Sequence, residues 1–260
     1  MILEELRHRV RRSPLGPLAL AVYRLFLTPE RRAVNAKGAL YDRQASEVMR
    51  RTLKPDSSCV DVGAHRGSIV EEFLEHAPHG RHHAFEALPQ LAAELARRFP
   101  QVTVHPAAVG DENGEADFVH VENAPAYSGL RERDYDRADP RIRHERVKVD
   151  RLDDAVPRDQ AVAYVKIDIE GGEYHALKGA VELVRRCRPI IVFEAGERST
   201  GRYGVGPDDV YRLVTGDLGC RLTTMERWLA GTPPFTAEEF RAAWAEGREY
   251  YFLASPAPDA

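Results

Sequence analysis

The sequence is poor in cysteine and has no long hydrophobic run. It contains three cysteines, Cys59, Cys187 and Cys220, which lie far apart and lack the short spacing of a zinc or redox motif. Few and scattered cysteines argue against a disulfide framework and predict reduced thiols in the cytoplasm. No signal peptide or membrane-spanning run is recognisable, since crossing a bilayer takes about 20 consecutive apolar residues.

The chain also lacks a strong excess of one charge. It has 37 Lys and Arg against 41 Asp and Glu, which gives a formal net charge of -4. Proteins that bind nucleic acid usually carry basic surfaces, so no nucleic acid partner is expected. Hydrophobic residues make up 43% of the 260 residues, which is enough for a substantial core, and the length fits one elaborated domain.

Residues 1–54 are predicted to form an N-terminal helical cap that precedes the main domain. Within it, an arginine-rich stretch at residues 7–12 is followed by an apolar run at residues 18–27. Two interpretations remain open. The segment is either a basic amphipathic helix that contacts a membrane surface or covers a substrate cleft, or a helix packed on the domain with its arginines in solvent.

From residue 55 to residue 255, apolar segments typical of buried strands alternate with amphipathic segments typical of helices. This order predicts an α/β fold with an open, mostly parallel sheet and helices on both faces. The strand candidates are residues 58–62, 82–86, 102–105, 116–121, 146–149, 162–169, 189–193, 220–225 and 249–254. A long charged loop is expected at residues 122–145, a polar turn at residues 150–154, and one helix at residues 173–187.

Four acidic residues end predicted strands: Asp61, Glu86, Asp168 and Glu194. The carboxyl ends of parallel strands meet at one edge of the sheet, where such folds bind their ligands. Carboxylates at that edge favour a ligand that is cationic or rich in hydroxyl groups. Glu86, at the end of the second strand, is the candidate acceptor for the hydroxyls of a ribose.

Residues 61–67 predict a tight turn between the first strand and a helix. Gly63 allows backbone angles that other residues rarely adopt, and Gly67 is expected to leave room for a ligand at the start of the helix. The middle glycine of a G-x-G-x-x-G motif is absent, which disfavours a nicotinamide dinucleotide. Asp61 favours a sulfonium cofactor instead, because a sulfonium carries positive charge and has no phosphate.

Four segments resemble the FkbM-type methyltransferases, a branch of the S-adenosylmethionine-dependent enzymes. Residues 61–67 (DVGAHRG) look like the family's cofactor loop D-V-G-A-[NH]-x-G, and residues 85–87 (FEA) resemble its F-E-P with alanine in place of proline. Residues 151–154 (RLDD) are similar to its T-L-D-D. Residues 165–173 (VKIDIEGGE) match the signature K-x-D-x-E-G-x-E, the most specific of the four.

The resemblance implies a Rossmann-like seven-stranded sheet whose last strand is antiparallel, with S-adenosyl-L-methionine as the cofactor. It further implies an O-methyltransferase that acts on a hydroxyl of a sugar or secondary metabolite, in natural product or glycan biosynthesis. Residues 122–145 and the cap are expected to frame the pocket of this small-molecule or glycosyl acceptor. The expected cofactor-binding residues are Asp61, Gly63, Ala64, Gly67, Glu86, Ala107, Ala108 and Asp168.

Asp168 is the main catalytic candidate, because it ends the central strand in front of the expected methyl group. It is expected to act as a base or to orient the acceptor. Of the neighbouring Glu170 and Glu173, one is expected to bind acceptor hydroxyls and the other to cap the following helix. His65 is a further candidate base, with packing of the loop as the alternative.

A divalent metal is not predicted, although carboxylates are ligands for such ions, and Asp168 and Glu194 would be the residues that hold one. Lys166 is expected to pair with a nearby acid rather than to take part in the chemistry.

Other functions on the same sheet remain open: an N- or carboxyl-methyltransferase, a nicotinamide-dependent oxidoreductase, and a non-catalytic binding module. Nitrogen methyltransferases often carry an Asn/Asp-Pro-Pro-Tyr/Phe tetrapeptide after the central strand, where this chain has residues 168–171 (DIEG). Assembly into a homo-oligomer is also left open.

Overall fold

The structure is a computed structural model that describes residues 29–133, 135 and 139–257. The chain divides into two compact units, residues 1–44 and residues 45–260. Helix α1 (Pro29–Thr52) crosses this division. The rest of the predicted cap, including its arginine-rich stretch and apolar run, lies outside the described residues.

Helix α1 has a sequence rich in Ala, Arg and Glu, with proline only at its first position, where the missing N–H costs nothing. Near its end, Arg50 Nε and Arg51 Nε each donate to the Glu47 carboxylate at 2.7 Å. Exposed pairs at this spacing add modest support to the helix. No helix among the described residues is long and apolar enough to cross a membrane.

Within the described residues, ten strands form two sheets. They are β1 (Cys59–Val62), β2 (His83–Phe85), β3 (Thr103–His105), β4 (Ala108–Val109), β5 (Gly114–Val121), β6 (Ile142–Asp150), β7 (Tyr164–Ile167), β8 (Ile190–Glu194), β9 (Cys220–Thr223) and β10 (Tyr251–Pro256). The main sheet has seven strands in the order β3-β2-β1-β7-β8-β10-β9. Only β10 runs antiparallel to its neighbours, which confirms the predicted sheet and its antiparallel last strand.

Helices connect the strands of the two sheets. They are α2 (Ser68–His76), α3 (Pro89–Arg98), α4 (Leu152–Ala155), α5 (Glu173–Lys178), α6 (Val181–Cys187), α7 (Pro207–Arg212), α8 (Met225–Leu229) and α9 (Ala237–Glu246). Successive residues of a strand face opposite sides of the sheet. In β2, Ala84 packs with Val70 and Leu95 of α2 and α3, whereas Phe85 belongs to the core of α5, α6, α7 and α9. The helices therefore cover both faces, as predicted.

A second sheet has three strands in the order β4-β6-β5. Strand β6 begins at Ile142, so part of the loop expected at residues 122–145 is a strand instead. Its outer half carries charged residues in place of an apolar pattern, and cross-strand polar pairs such as His120 with Glu145 at 2.7 Å hold it to β5. Such pairs stabilise a sheet but leave no hydrophobic periodicity in the sequence.

Other differences have local causes. The helix expected at residues 173–187 is broken into α5 and α6, and the chain turns between them at Gly179. Glycine is required there, because a Cβ would lie 2.0 Å from the Gly110 carbonyl oxygen. The expected polar turn at residues 150–154 contains the short helix α4. Helix α9 was not predicted, although Thr236 and Glu239 form a capping box at its start. The three cysteines are free, in agreement with the predicted lack of disulfides.

Candidate functional site

The loop after β1 is fixed by backbone contacts on both sides. The Gly63 and Ala64 amides donate to the Phe85 carbonyl oxygen at 3.0 and 2.9 Å. Gly63 has φ +85°, and a Cβ there would lie 2.0 Å from the Asp168 carbonyl oxygen. Both the left-handed backbone and this close approach require glycine. Gly63 therefore brings the ends of β1, β2 and β7 together at one edge.

Gly67 also has a positive φ, of +80°, but the reason for glycine differs from the expected one. A Cβ at Gly67 would lie 2.4 Å from Phe99 Cε2 and 2.8 Å from Leu95 Cδ2. Side chains of the α3 segment take up the space that was expected for a ligand. Gly67 thus allows helix α2 to pack closely against its neighbour.

An open pocket with an empty volume of about 590 Å³ lies beside this loop. Several residues expected to bind the cofactor or act in catalysis line it: Gly63, His65, Glu86, Ala107, Ala108, Asp168 and Glu170. Others lie outside the described lining: Asp61, Ala64, Gly67, Glu173 and Glu194. An apolar wall completes the pocket, with Phe118 of β5, which was not predicted, and with Pro125, Ala126 and Leu130 from the loop that was expected to frame the acceptor.

Glu86 is held in the pocket wall by the backbone. Its Oε2 accepts from the His65 amide at 2.8 Å, and its Oε1 accepts from the Leu88 amide at 2.9 Å. Burial raises the pKa of Glu86, while these two hydrogen bonds act in the opposite direction. Each carboxylate oxygen has a second lone pair, so Glu86 can still accept hydrogen bonds from a pair of ribose hydroxyls.

Asp61 is buried in β1, one residue before the strand ends at Val62. Burial raises its pKa to about 7, the Lys166 charge lowers it, and Asp168 and Glu86 raise it further. Asp61 Oδ2 has no hydrogen-bond partner within the described part of the chain. The expected position of Asp61 at the edge is therefore corrected: β1 continues to Val62, and Asp61 is buried within the strand, outside the pocket lining.

Asp168 follows β7, and its Oδ2 accepts two hydrogen bonds. One comes from Lys166 Nζ at 3.2 Å and the other from the Tyr251 hydroxyl. Burial alone would raise the pKa of Asp168, but the Lys166 charge and the two hydrogen bonds outweigh it, so the pKa lies below its usual value. The expectation that Lys166 pairs with an acid is confirmed.

Glu173 and Glu194 join Asp168 in a cluster of three carboxyl groups, each with an oxygen within 4.8 Å of the others. Glu173 Oε1 accepts from the Ile169 and Gly171 amides at 2.9 and 3.2 Å, which fixes the turn before α5. Burial raises the pKa of Glu173 to about 7 and that of Glu194 to about 8, with further contributions from the neighbouring carboxylates.

The cluster brings together the residues that a divalent metal would need. Like charges at this distance do not all ionise, so protons on Glu173 and Glu194 lower the negative charge. The ammonium of Lys166 supplies a positive charge beside Asp168. The charge balance of these groups therefore does not require a metal ion.

Glu170 and His65 line the pocket together with Asp168. Both have a positive φ, of 59° and 47°, which is uncommon for residues other than glycine. Glu170 pairs with Arg133, whose guanidinium lies 5.1 Å from the ring centre of Tyr127. The positive φ angles of Glu170 and His65 cost about 1–3 kcal/mol each, and backbone strain of this kind is common at functional sites.

The residues of the pocket fit S-adenosyl-L-methionine. Glu86, Asp168 and Glu170 suit ribose hydroxyls and a positively charged sulfonium, and Ala107 and Ala108 leave space for a flat base. No lysine or arginine belongs to the described lining, although a pyrophosphate would require such a charge or a glycine-rich turn.

Comparison with known proteins agrees with this fit. The family model of the methyltransferase FkbM domain matches residues 61–221, which is more than half of the chain. A search of curated proteins found no match.

Solved structures of methyltransferases are among the similar folds. A methyltransferase FkbM from Methylobacillus flagellatus is 19% identical with a TM-score of 0.48, covering 78% of this chain and 44% of that one. The chain thus spans less than half of that protein. A precorrin-6y C5,15-methyltransferase from Geobacter metallireducens is 16% identical with a TM-score of 0.39, covering 69% and 70%. A TehB-like SAM-dependent methyltransferase from Corynebacterium glutamicum is 11% identical with a TM-score of 0.42, covering 86% and 93%.

The matched residues include the loop at Gly63, Glu86 in the pocket wall and the carboxyl cluster around Asp168. The chain therefore belongs to the FkbM methyltransferase family, and the matched region is that family's S-adenosylmethionine-dependent methyltransferase domain.

Proposed function

We propose that the protein transfers the methyl group to a hydroxyl oxygen of a small-molecule or glycosyl acceptor, such as a sugar or a secondary metabolite. The observation that supports this proposal is the carboxylate of Asp168 in the pocket wall, which Lys166 and Tyr251 keep ionised at neutral pH. When bound, S-adenosylmethionine would supply a methyl group on a positively charged sulfur. A nucleophile in line with the carbon–sulfur bond can attack the methyl carbon and displace the sulfur as a neutral thioether.

Asp168 contributes to this reaction in two ways. Its carboxylate accepts a hydrogen bond from the acceptor hydroxyl and so directs an oxygen lone pair at the methyl carbon. Such orientation can supply roughly 7–11 kcal/mol of the barrier. As the new C–O bond forms, the hydroxyl proton moves to Asp168, a step that adds roughly 10²–10⁴-fold in rate. The product is the methyl ether, and the proton leaves later to solvent.

The carboxyl cluster favours a hydroxyl over the other acceptor groups. A carboxylate acceptor would be repelled by Asp168, Glu170 and the partly ionised cluster behind them. An amine would be attracted, but nearby carboxylates raise its pKa and keep it protonated, without the lone pair it needs to attack. A neutral hydroxyl suffers neither effect. A nicotinamide reaction is disfavoured by the lack of a basic side chain in the described lining.

Glu86 is proposed to hold the ribose hydroxyls of the cofactor, with Ala107 and Ala108 beside the base. Glu170, paired with Arg133, is proposed to face the acceptor, whereas Glu173 serves the turn before α5. The same proposal places the reaction in the cytoplasm, because Cys59, Cys187 and Cys220 are free thiols.

A panel of acceptors tests the proposal. The purified protein is incubated with cofactor that carries a deuterated methyl group and with sets of compounds that differ only in a hydroxyl, amine or carboxyl at one position. Mass spectrometry then shows which member gains the label. We expect label on hydroxyl compounds alone, and none with Asp168→Asn. Label on the amine or carboxyl members, with the hydroxyl members unchanged, would overturn the proposal.

A further inference from the structure

Tyr251 lies far from the family motifs in the sequence but at the active edge in the fold. It is the first residue of β10, which runs antiparallel to β8, and its register partner is Glu194 at the end of β8. Because β10 runs the other way, its first residue arrives where the parallel strands end. The antiparallel strand thus delivers a tyrosine to the edge that holds Asp168.

Two contacts join Tyr251 to the reacting groups. Its hydroxyl donates to Asp168 Oδ2, and its ring lies 4.2 Å from Lys166 Nζ, within the range of a cation–π contact. Lys166 Nζ donates to the same Asp168 oxygen at 3.2 Å. With both donors on Oδ2, Oδ1 is the oxygen that remains for the acceptor hydroxyl.

The surroundings of Tyr251 keep its hydroxyl a donor. Burial, Asp168, Glu194 and the hydrogen bond itself raise the pKa of Tyr251 well above its usual value, and Glu173 adds to this. The charged or titratable groups that interact with Asp168 are Lys166, Tyr251, Asp61, Glu173, Glu194 and His65. Of these, Lys166 and Tyr251 are the two that donate to its carboxylate.

We propose that Tyr251 is a positioning residue that orients the Asp168 carboxylate toward the acceptor, together with Lys166. This inference rests on the proposed role of Asp168 and adds a residue that neither the matched family region, residues 61–221, nor the sequence motifs include.

Tyr251→Phe is the direct test, because it removes the hydroxyl and keeps the ring over Lys166. A hydrogen bond to a charged group is worth roughly 1.5–3 kcal/mol, which corresponds to a fall in kcat of roughly 10- to 100-fold. The KM for cofactor should stay unchanged. Without this donor the pKa of Asp168 rises, so the acid limb of the pH profile of kcat should move to higher pH. Tyr211→Phe is the matched control, since that hydroxyl donates to the Phe235 carbonyl oxygen at 3.2 Å, with no acid involved.

3-Fluorotyrosine at position 251 provides a second variant of nearly the same shape. Its hydroxyl is more acidic and donates a stronger hydrogen bond, so the acid limb should move to lower pH, opposite to the shift in Tyr251→Phe. Equal pH profiles for wild type and both variants would overturn the inference.

A double-variant cycle separates this inference from the proposed function. In an Asp168→Asn background, Tyr251→Phe should cause almost no further loss, because the two residues act as one unit. If Asp168→Asn is fully active, the proposed function fails whatever Tyr251 does. If Asp168→Asn is inactive but Tyr251→Phe keeps the wild-type kcat and pH profile, the role of Tyr251 fails and that of Asp168 stands.

Discussion

Glu86 and Asp168 are carboxylates in the same pocket wall, but the fold holds them differently. Backbone amides of His65 and Leu88 bind Glu86, so its position follows from the path of the chain. Asp168 is held by the side chains of Lys166 and Tyr251, which come from two different strands. A backbone-held carboxylate suits a constant task such as binding a cofactor. A carboxylate held by side chains can be tuned by substitution without altering the fold.

The largest effect is expected from substitution of Asp168, the carboxylate that is held by side chains. Asp168→Asn keeps the shape but removes the charge that takes the proton, so kcat should fall by roughly 10²–10⁴-fold. Cofactor affinity, measured by calorimetry, should change little. Asp159→Asn is the control, because that side chain is 81% exposed and lies away from the pocket lining. A matching loss in both variants would point to a general effect on the protein.

Gly63 contacts the backbone next to both carboxylates. Its amide donates to the carbonyl oxygen of Phe85, the residue before Glu86, and a Cβ on Gly63 would lie 2.0 Å from the Asp168 carbonyl oxygen. Gly63→Ala should lower the free energy of unfolding by about 2–4 kcal/mol, through overpacking together with left-handed strain. Urea denaturation measures this loss. Gly231→Ala separates the two causes, because Gly231 has φ +70° but nothing within 4 Å of its added Cβ. It should lose only about 1 kcal/mol.

Removal of the backbone-held member should affect binding rather than chemistry. Glu86→Ala deletes an acceptor for ribose hydroxyls, and a charged hydrogen bond of roughly 1.5–3 kcal/mol corresponds to a roughly 10- to 100-fold rise in the Kd for cofactor. At saturating cofactor, kcat should stay near that of wild type. Calorimetry with S-adenosylmethionine and with its demethylated product gives the Kd. Unchanged affinity would remove Glu86 from the cofactor site.

The smallest effect is expected in the pH dependence of the free energy of unfolding, to which Glu173 and Glu194 contribute. Glu173 and Glu194 have pKa values raised to about 7 and about 8 in the folded protein, above the value of 4.5 for a free carboxyl. The folded state therefore holds more protons than the unfolded state between these values, so stability falls as pH rises from about 4.5 to about 8. Glu194→Gln should flatten this slope in thermal or urea unfolding. A slope that stays the same would show that Glu194 ionises normally.

The parts of the site that could be predicted from the sequence are those in which local chain geometry decides. Gly63 and Glu86 follow short strands in continuous motifs, and both line the pocket. Asp61 was expected at the end of its strand, but β1 continues to Val62. Successive strand residues face opposite sides, so Val62 lines the pocket and Asp61 does not. Gly67 was assigned to a ligand because the packing of Phe99 against it is a tertiary contact without a local signal.

Tyr251 and the place of Phe118 in the apolar wall could not be predicted for a related reason. Tyr251 meets Asp168 only because β10 inserts between β8 and β9, which is a question of strand order rather than of local pattern. Phe118 lines the pocket from β5, which was expected as a strand together with part of β6, but the pairing of these strands in a separate sheet beside the pocket has no local signal. The mostly parallel sheet with helices on both faces followed from the alternation of strands and helices, whereas its seven strands and antiparallel last strand followed from the family resemblance.

The position of β10 has a consequence for synthesis of the chain. Residues 251–256 fill the gap between β8 and β9, so until they leave the ribosome β8 has an unpaired edge and β9 has no partner in the main sheet. Unpaired edges are prone to join other chains. The nascent protein can therefore form the loop at Gly63 and the backbone hydrogen bonds to Glu86 early. The support of Asp168 by Tyr251, by contrast, is among the last features of the site to be completed.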